Sequence, residues 1–182
     1  TLATVDGTVD SISDAPQGGK FVGIAGVSHY VPPEMPVHVK VGDDVTIGKP
    51  VSGGWVNPAE MTSLCGLGAA RLAMLKSFRD ALRANNVKAT RRNIEVVARG
   101  LLNHVRVTEL DGVDGLPDDI LEYGTVERTY RPRYGSQRLH PGKAVGMYLE
   151  KPALYHTIGT RLTKDIAREL ADGGVEDVDV HA

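Results

Sequence analysis

The sequence has a single cysteine, no excess of charge of either sign and no long apolar run, and each shortage removes a class of function. Cys65 alone can close no intrachain disulfide and can build no Cys-rich metal site, so a reducing compartment, or no redox demand, fits the chain. Its neighbours Leu64, Leu67 and Leu72 predict a buried helical thiol. The 21 basic and 23 acidic residues leave a formal net charge of -2 and a pI near 6.3. No global positive field therefore gathers phosphates or an anionic membrane surface, and any nucleic-acid contact has to be local. No stretch reaches about 18 apolar residues, and the N-terminus lacks the basic-then-apolar layout of a secretory signal. These absences predict a soluble protein without a membrane partner.

Chemical motifs are missing too. The histidines His29, His38, His104, His140, His156 and His181 show neither a His-x-x-Glu-His nor any paired spacing, so each reads as a surface or packed residue. No nucleophile-elbow motif accompanies a Ser-His-Asp order. Asp43-Asp44 and Asp118-Asp119 fall where turns are predicted, and turn chemistry accounts for both. The sequence thus predicts no catalytic residue, no metal ligand and no cofactor.

What is present is a chain of 182 residues, 41% hydrophobic and 24% charged, which is enough to bury a core in one domain or two small ones. Up to about Pro50 it carries short apolar alternations, Leu2 to Val5, Thr8 to Ile12, Phe21 to Ile24 and Val37 to Val41, separated by Asp6-Gly7, Gln17-Gly18-Gly19 and Val31-Pro32-Pro33. Short strands at this spacing predict a small β barrel or sandwich. Within Val41 to Pro50, a turn at Gly42-Asp43, an inward Val45 and a second Gly48 make the corner of a barrel-sandwich fold. Biotin and lipoyl carriers share that corner, but Lys20 and Lys49 lack the hairpin-tip context that a modified lysine needs.

After Gly53-Gly54-Trp55 the period becomes helical. Asn57 at N-cap, Pro58 at N1 and Glu60 at N3 predict a helix start, because together they satisfy orphan amides and suit the dipole. Leu67, Ala70, Met74, Phe78 and Ala81 give the core-facing stripe. Asn85-Asn86 predicts the left-handed stop, and Thr90 caps a second helix with Ile94, Val97, Leu101 and Val105 on one side. The two are expected to form a helical hairpin. Gly66-Leu67-Gly68 imitates a dinucleotide loop but lies inside the helical stripe, where close packing explains it better. Beyond Val107 the chain is rich in turns. A strand is predicted over Val126 to Arg131, then a turn at Pro141-Gly142, a helix from Thr163 to Ala171, a stop at Gly173-Gly174 and a strand from Val175 to Val180, the last set forming a βαβ-like or αβ element. The expected fold class is α+β: a barrel-sandwich-like β part and helical hairpin over residues 1–110, then a loop-rich mixed α/β extension over 111–182.

The order of these features resembles the C-terminal region of the β′ subunit of multisubunit RNA polymerase. The matching residues are Gly42, Asp43, Val45 and Gly48, then Asn57-Pro58, Gly66-Leu67, Ala69-Ala70 and Asn86-Val87, then Asn93-Ile94-Glu95-Val96-Val97, Leu102 and the exit Val105-Arg106-Val107-Thr108. The end of the chain, Gly159 to Val180, looks like another β′ element of generic pattern. Catalysis in that family rests on an aspartate triad holding Mg²⁺ in an Asn-Ala-Asp-Phe-Asp-Gly-Asp motif, and neither this motif nor the zinc-binding cysteine clusters of β′ occur here. The resemblance implies a supporting piece of the framework. Some phage structural proteins resemble the same stretch, followed by a segment similar to Leu149-Glu150-Lys151-Pro152 through His156.

Two groups of residues are candidates for contact with a partner or with nucleic acid. In Tyr130-Arg131-Pro132-Arg133-Tyr134, aromatic rings suited to stacking alternate with guanidinium groups that fork onto phosphates. Arg91 and Arg92 form the second group. A partner-facing or solvated loop explains the first better, since protein interfaces also favour Arg and Tyr. The first functional expectation is a non-catalytic structural or assembly protein of a phage, located in the virion or the host cytoplasm, whose partners are other virion subunits. The second is a non-catalytic piece of a split polymerase β′ subunit, cytoplasmic and bound to other polymerase subunits.

Overall fold

The computed structural model describes residues 1–108 and 112–182, and its mixed α+β chain divides into two compact units, Thr1–Cys65 and Gly66–Ala182. In the first, β1 (Gly7–Asp14), β2 (Lys20–Ile24), β3 (Val27–Val31) and β4 (Asp44–Val45) form an antiparallel sheet in the order β3-β2-β1-β4, curled as a half-barrel. A register shift between Val9 and Ser11 places a bulge at Asp10. The bulge resets the two-residue alternation, so Val9 and Ile12, three apart, both face the core. The core gathers Val9, Val22, Ile24, Val31, Val45 and Val51, all almost fully buried.

The β2–β3 connection is a two-residue turn, Ala25-Gly26, with both φ values positive at 48° and 79°. Gly26 N–H donates to Asp10 Oδ2 at 2.9 Å, which ties the turn to the bulge. This tight hairpin was not expected from the sequence, because alanine is a poor signal for a turn that needs left-handed backbone at its first position.

The turns predicted within Val41 to Pro50 are present, on a sheet that is a curled half-barrel. Gly42 and Gly48 have φ of 93° and 81°, Val45 is 1% exposed, and Asp43 accepts from Lys40 N–H at 2.8 Å. The predicted strand Val37 to Val41 is not. Val37 makes only an isolated bridge to Ser52, and Val41 is exposed. The reason lies in the donors: His38 N–H goes to Val51 O and Lys40 N–H to the Asp43 side chain, so no ladder can continue. Leu2 to Val5 likewise contributes one bridge, Leu2 to Pro50, and not a strand. Trp55 stands 75% exposed beyond the sheet.

Helix α1 (Pro58–Ala84) starts as predicted, with Asn57 Oδ1 accepting from Ala59 N–H at 3.0 Å. Gly66, at φ 84° and ψ 167°, interrupts it. Before this break lies Cys65, which is half-buried, not fully buried as expected, and donates to Ile47 O at 3.6 Å. Beyond the break Leu67, Ala70 and Leu75 are buried, while Met74, Phe78 and Ala81 are only partly covered. Asn86 adopts the predicted left-handed conformation at φ 57°.

In the second unit Thr90 caps α2 (Arg91–Leu101) by accepting from Asn93 N–H. Ile94 and Ala98 are its buried residues, whereas Val97 and Leu101 are 52% and 59% exposed, so the expected stripe is corrected to a four-residue step. Val105 lies outside this helix, on β5 (His104–Arg106), paired with β6 (Ile120–Glu122). The predicted strand at Val126 to Arg131 is corrected to α3 (Tyr123–Thr129): Tyr123 and Val126, three apart, are the buried pair, and Tyr130 N–H closes the last turn on Val126 O. After β7 (Gln137–Leu139) and β8 (Tyr148–Leu149), Thr163 caps α4 (Lys164–Asp172), and β9 (Val178–His181) lies between β7 and β8, antiparallel to both. That arrangement is the αβ alternative and excludes a βαβ crossover, which needs parallel strands. Its core joins Leu149, Leu162, Leu170 and Val180.

Candidate functional site

Two constructions in the second unit bring polar side chains together. The first surrounds Glu150, which follows β8 and has a side chain 0% exposed. Tyr130 O–H donates to its Oε2 at 2.7 Å, and Arg133 N–H donates to the same oxygen at 3.0 Å. The Arg133 guanidinium lies 3.8 Å from Oε1, which also contacts His181 Nδ1. A bare buried carboxylate would be costly, and these neighbours compensate it. Burial, and then the hydrogen bond to Glu150, push the Tyr130 phenol up to about 12. Beside the cluster Lys151 Nζ reaches Asp179 Oδ2 at 2.5 Å.

This cluster divides the predicted Tyr130 to Tyr134 patch. Tyr130 and Arg133 turn inward onto Glu150, while Arg131 and Tyr134 are exposed. Glu150 itself was not predicted. Its one sequence signal is an acid set directly after the apolar Met147-Tyr148-Leu149 run.

The second construction is a cleft of about 310 Å³ walled by α1, α2, α3 and residues 152–157. Arg71 is fixed in it, donating from Nε to Leu102 O at 2.8 Å and from a terminal nitrogen to Asn103 Oδ1 at 2.9 Å. Its guanidinium lies over the Tyr123 ring, 5.6 Å from the centroid. Burial lowers the Arg71 pKa, and the like charge of Arg99 lowers it further. Burial raises the Tyr123 phenol, whose oxygen accepts from Ile158 N–H at 3.1 Å. Arg91 pairs with Glu95 at 2.8 Å on the same rim, whereas Arg99 has no hydrogen bond or ion pair among the described residues.

The opposite wall is a tight hairpin. Ala153 and His156 exchange backbone hydrogen bonds, and Leu154 at the turn is held at φ 52°. Left-handed backbone at a leucine is strained, and it persists because surrounding contacts fix it. One such contact is at Gly68, where any Cβ would run into the Tyr155 carbonyl oxygen. The Gly66-Leu67-Gly68 stretch is therefore a close-packing element, as the sequence suggested.

His156 is 2% exposed, with Nε2 3.4 Å from Glu169 Oε2. Burial lowers its pKa and Glu169 works against that, the net direction being down. The folded ring is thus harder to protonate than the unfolded one, so its contribution is present above about pH 6.5 and is lost as pH falls through the folded value. The thermal midpoint of the protein is expected to drop between roughly pH 7 and pH 5, and less so in His156→Gln. Parallel profiles for the two would refute the assignment.

The remaining histidines hold structural or surface positions. His29 Nε2 accepts from Thr4 N–H at 3.0 Å, so its proton is on Nδ1, facing Val27 O. His140 caps the short turn Pro141–Lys143, and His38 and His104 are exposed. Of the second predicted group, Arg91 lines the cleft and Arg92 is exposed on α2 outside its lining. Sequence reasoning missed Arg71 and the 153–156 hairpin. Among the described residues no three His, Cys, Asp or Glu side chains converge as a metal would require, and no helix is long and apolar enough to cross a membrane.

No protein-family model matches the chain. It is similar to the β′ subunits of DNA-directed RNA polymerases from several bacteria. The identity is 24% over 159 residues to that of Bacillus pumilus, covering 85% of this chain and 13% of the relative. It is 25% over 122 residues to that of Natranaerobius thermophilus, covering 67% and 10%. To that of Lactobacillus acidophilus it is 29% over 129 residues, covering 68% and 11%. The chain therefore spans about a tenth of the length of the curated relatives it matches.

Proposed function

We propose that this chain is a framework segment of a DNA-directed RNA polymerase β′-type subunit, supporting the transcription machinery without performing its chemistry. The similarity to β′ subunits across most of the chain carries this reading. It favours the polymerase expectation over the phage structural one. Phosphoryl transfer in such enzymes needs metals flanking the transferring group, and the aspartate motif that holds them is absent from the sequence. In this reading the curled sheet with its Gly42 to Gly48 corner corresponds to the barrel-sandwich region, and α1 with α2 to the helical pair that follows. The partners are other polymerase subunits in the cytoplasm, with Arg131 and Tyr134 as the exposed residues of the predicted patch for local contact with protein or nucleic acid.

Affinity purification of the tagged chain from its native cells tests this. Co-elution of polymerase subunits together with DNA-dependent transcription is the expected result. Recovery in phage particles without those subunits would overturn it and restore the structural reading.

A further inference from the structure

The cleft between α2 and the 153–156 hairpin has an uneven distribution of charge. Arg71 is immobilised at its floor by two hydrogen bonds, and Arg99 stands near it with no acidic partner among the described residues. Two neighbouring guanidinium groups, one of them uncompensated, favour an anion placed between them. Leu72, Leu75 and Leu154 give the cleft an apolar lining. At about 310 Å³ it sits at the lower end of ligand pockets, the scale of a few side chains.

We propose that this cleft docks a short segment of a partner protein, presenting one carboxylate to Arg99 and Arg71 and apolar side chains to the leucines. A nucleic-acid strand fits less well. Glu95 and Glu127 also line the cleft, so a continuous row of phosphates meets repulsion there, while a single carboxylate flanked by leucines does not. The strained turn at Leu154 suits the role, since it holds an apolar side chain 55% exposed beside the cleft. The inference stands on the charge layout and not on the polymerase reading. A failed co-purification leaves it intact, and a failed peptide titration leaves that reading intact.

The test is fluorescence anisotropy with the whole chain and a labelled octapeptide of alternating leucine and glutamine in which one central glutamine is replaced by glutamate. The expected result is saturable binding that the leucine–glutamine counterpart lacks. Arg99→Gln is expected to weaken it about tenfold or more, as loss of a charge-assisted contact does. Because Arg99 is exposed and unpartnered among the described residues, the variant is expected to keep the wild-type circular dichroism spectrum. Lys76→Gln, which removes an exposed charge of α1 outside the cleft lining, is expected to change nothing. Absent binding, equal binding of the glutamine peptide, indifference to Arg99→Gln, or displacement of the peptide by oligothymidylate would each overturn the proposal.

Discussion

Replacing Glu150 with alanine is expected to lower the unfolding free energy by about 3 kcal/mol, the lower end of what breaking a buried ion pair costs. The carboxylate has no exposed surface and holds three things at once: the Tyr130 hydroxyl, the Arg133 amide and the cationic side of the cluster. Alanine removes the acceptor, and the donors that remain are enclosed without a substitute. Arg133 keeps 22% of its side-chain surface in contact with solvent, which is why the lower end of the range applies. Glu150→Gln separates charge from hydrogen bonding, since its amide oxygen still accepts from Tyr130. It is expected to cost roughly half as much. Urea unfolding monitored by far-ultraviolet circular dichroism measures both. An alanine variant within about 0.5 kcal/mol of wild type would show that the cluster is not a stabilising element.

Leu170→Ala is expected to cost about 2–5 kcal/mol, through lost burial and the cavity left behind. Leu170 is 0% exposed on the inner side of α4, packed with Leu149, Leu162 and Val180, and strands on one side and a helix on the other leave little room for collapse into the void. Val97→Ala on α2 is the matched contrast. It removes apolar atoms from a side chain 52% exposed and is expected to shift stability by less than about 0.5 kcal/mol. Equal midpoints for wild type and Leu170→Ala would place the core of this unit elsewhere.

Helix starts were legible because their determinants are local: Asn57, Thr90 and Thr163 each accept a hydrogen bond from an amide two or three residues on, and Asn86 takes the left-handed stop. The turns at Gly42 and Gly48 were legible for the same reason. What the sequence hid depends on distant partners. Val126 to Arg131 reads as a strand, and the helix Tyr123–Thr129 that takes its place shows itself only through the burial of Tyr123 and Val126. The Ala25-Gly26 turn needs Asp10, sixteen residues earlier, to receive its amide. The Glu150 cluster closes only when β8, β9 and the segment after α3 meet, so an isolated glutamate in the sequence announces nothing. Arg71 was unreadable as a cleft residue because its anchors, Leu102 and Asn103, are supplied after a complete second helix.

The exposed position of Trp55 bears on how any of this is observed in solution. An indole already surrounded by water emits much as it does in a denatured chain, so its fluorescence stays nearly silent while the protein melts. As the single tryptophan of the chain, it makes intrinsic emission a poor gauge of folding and leaves that side chain available as a reporter of whatever comes to rest against it.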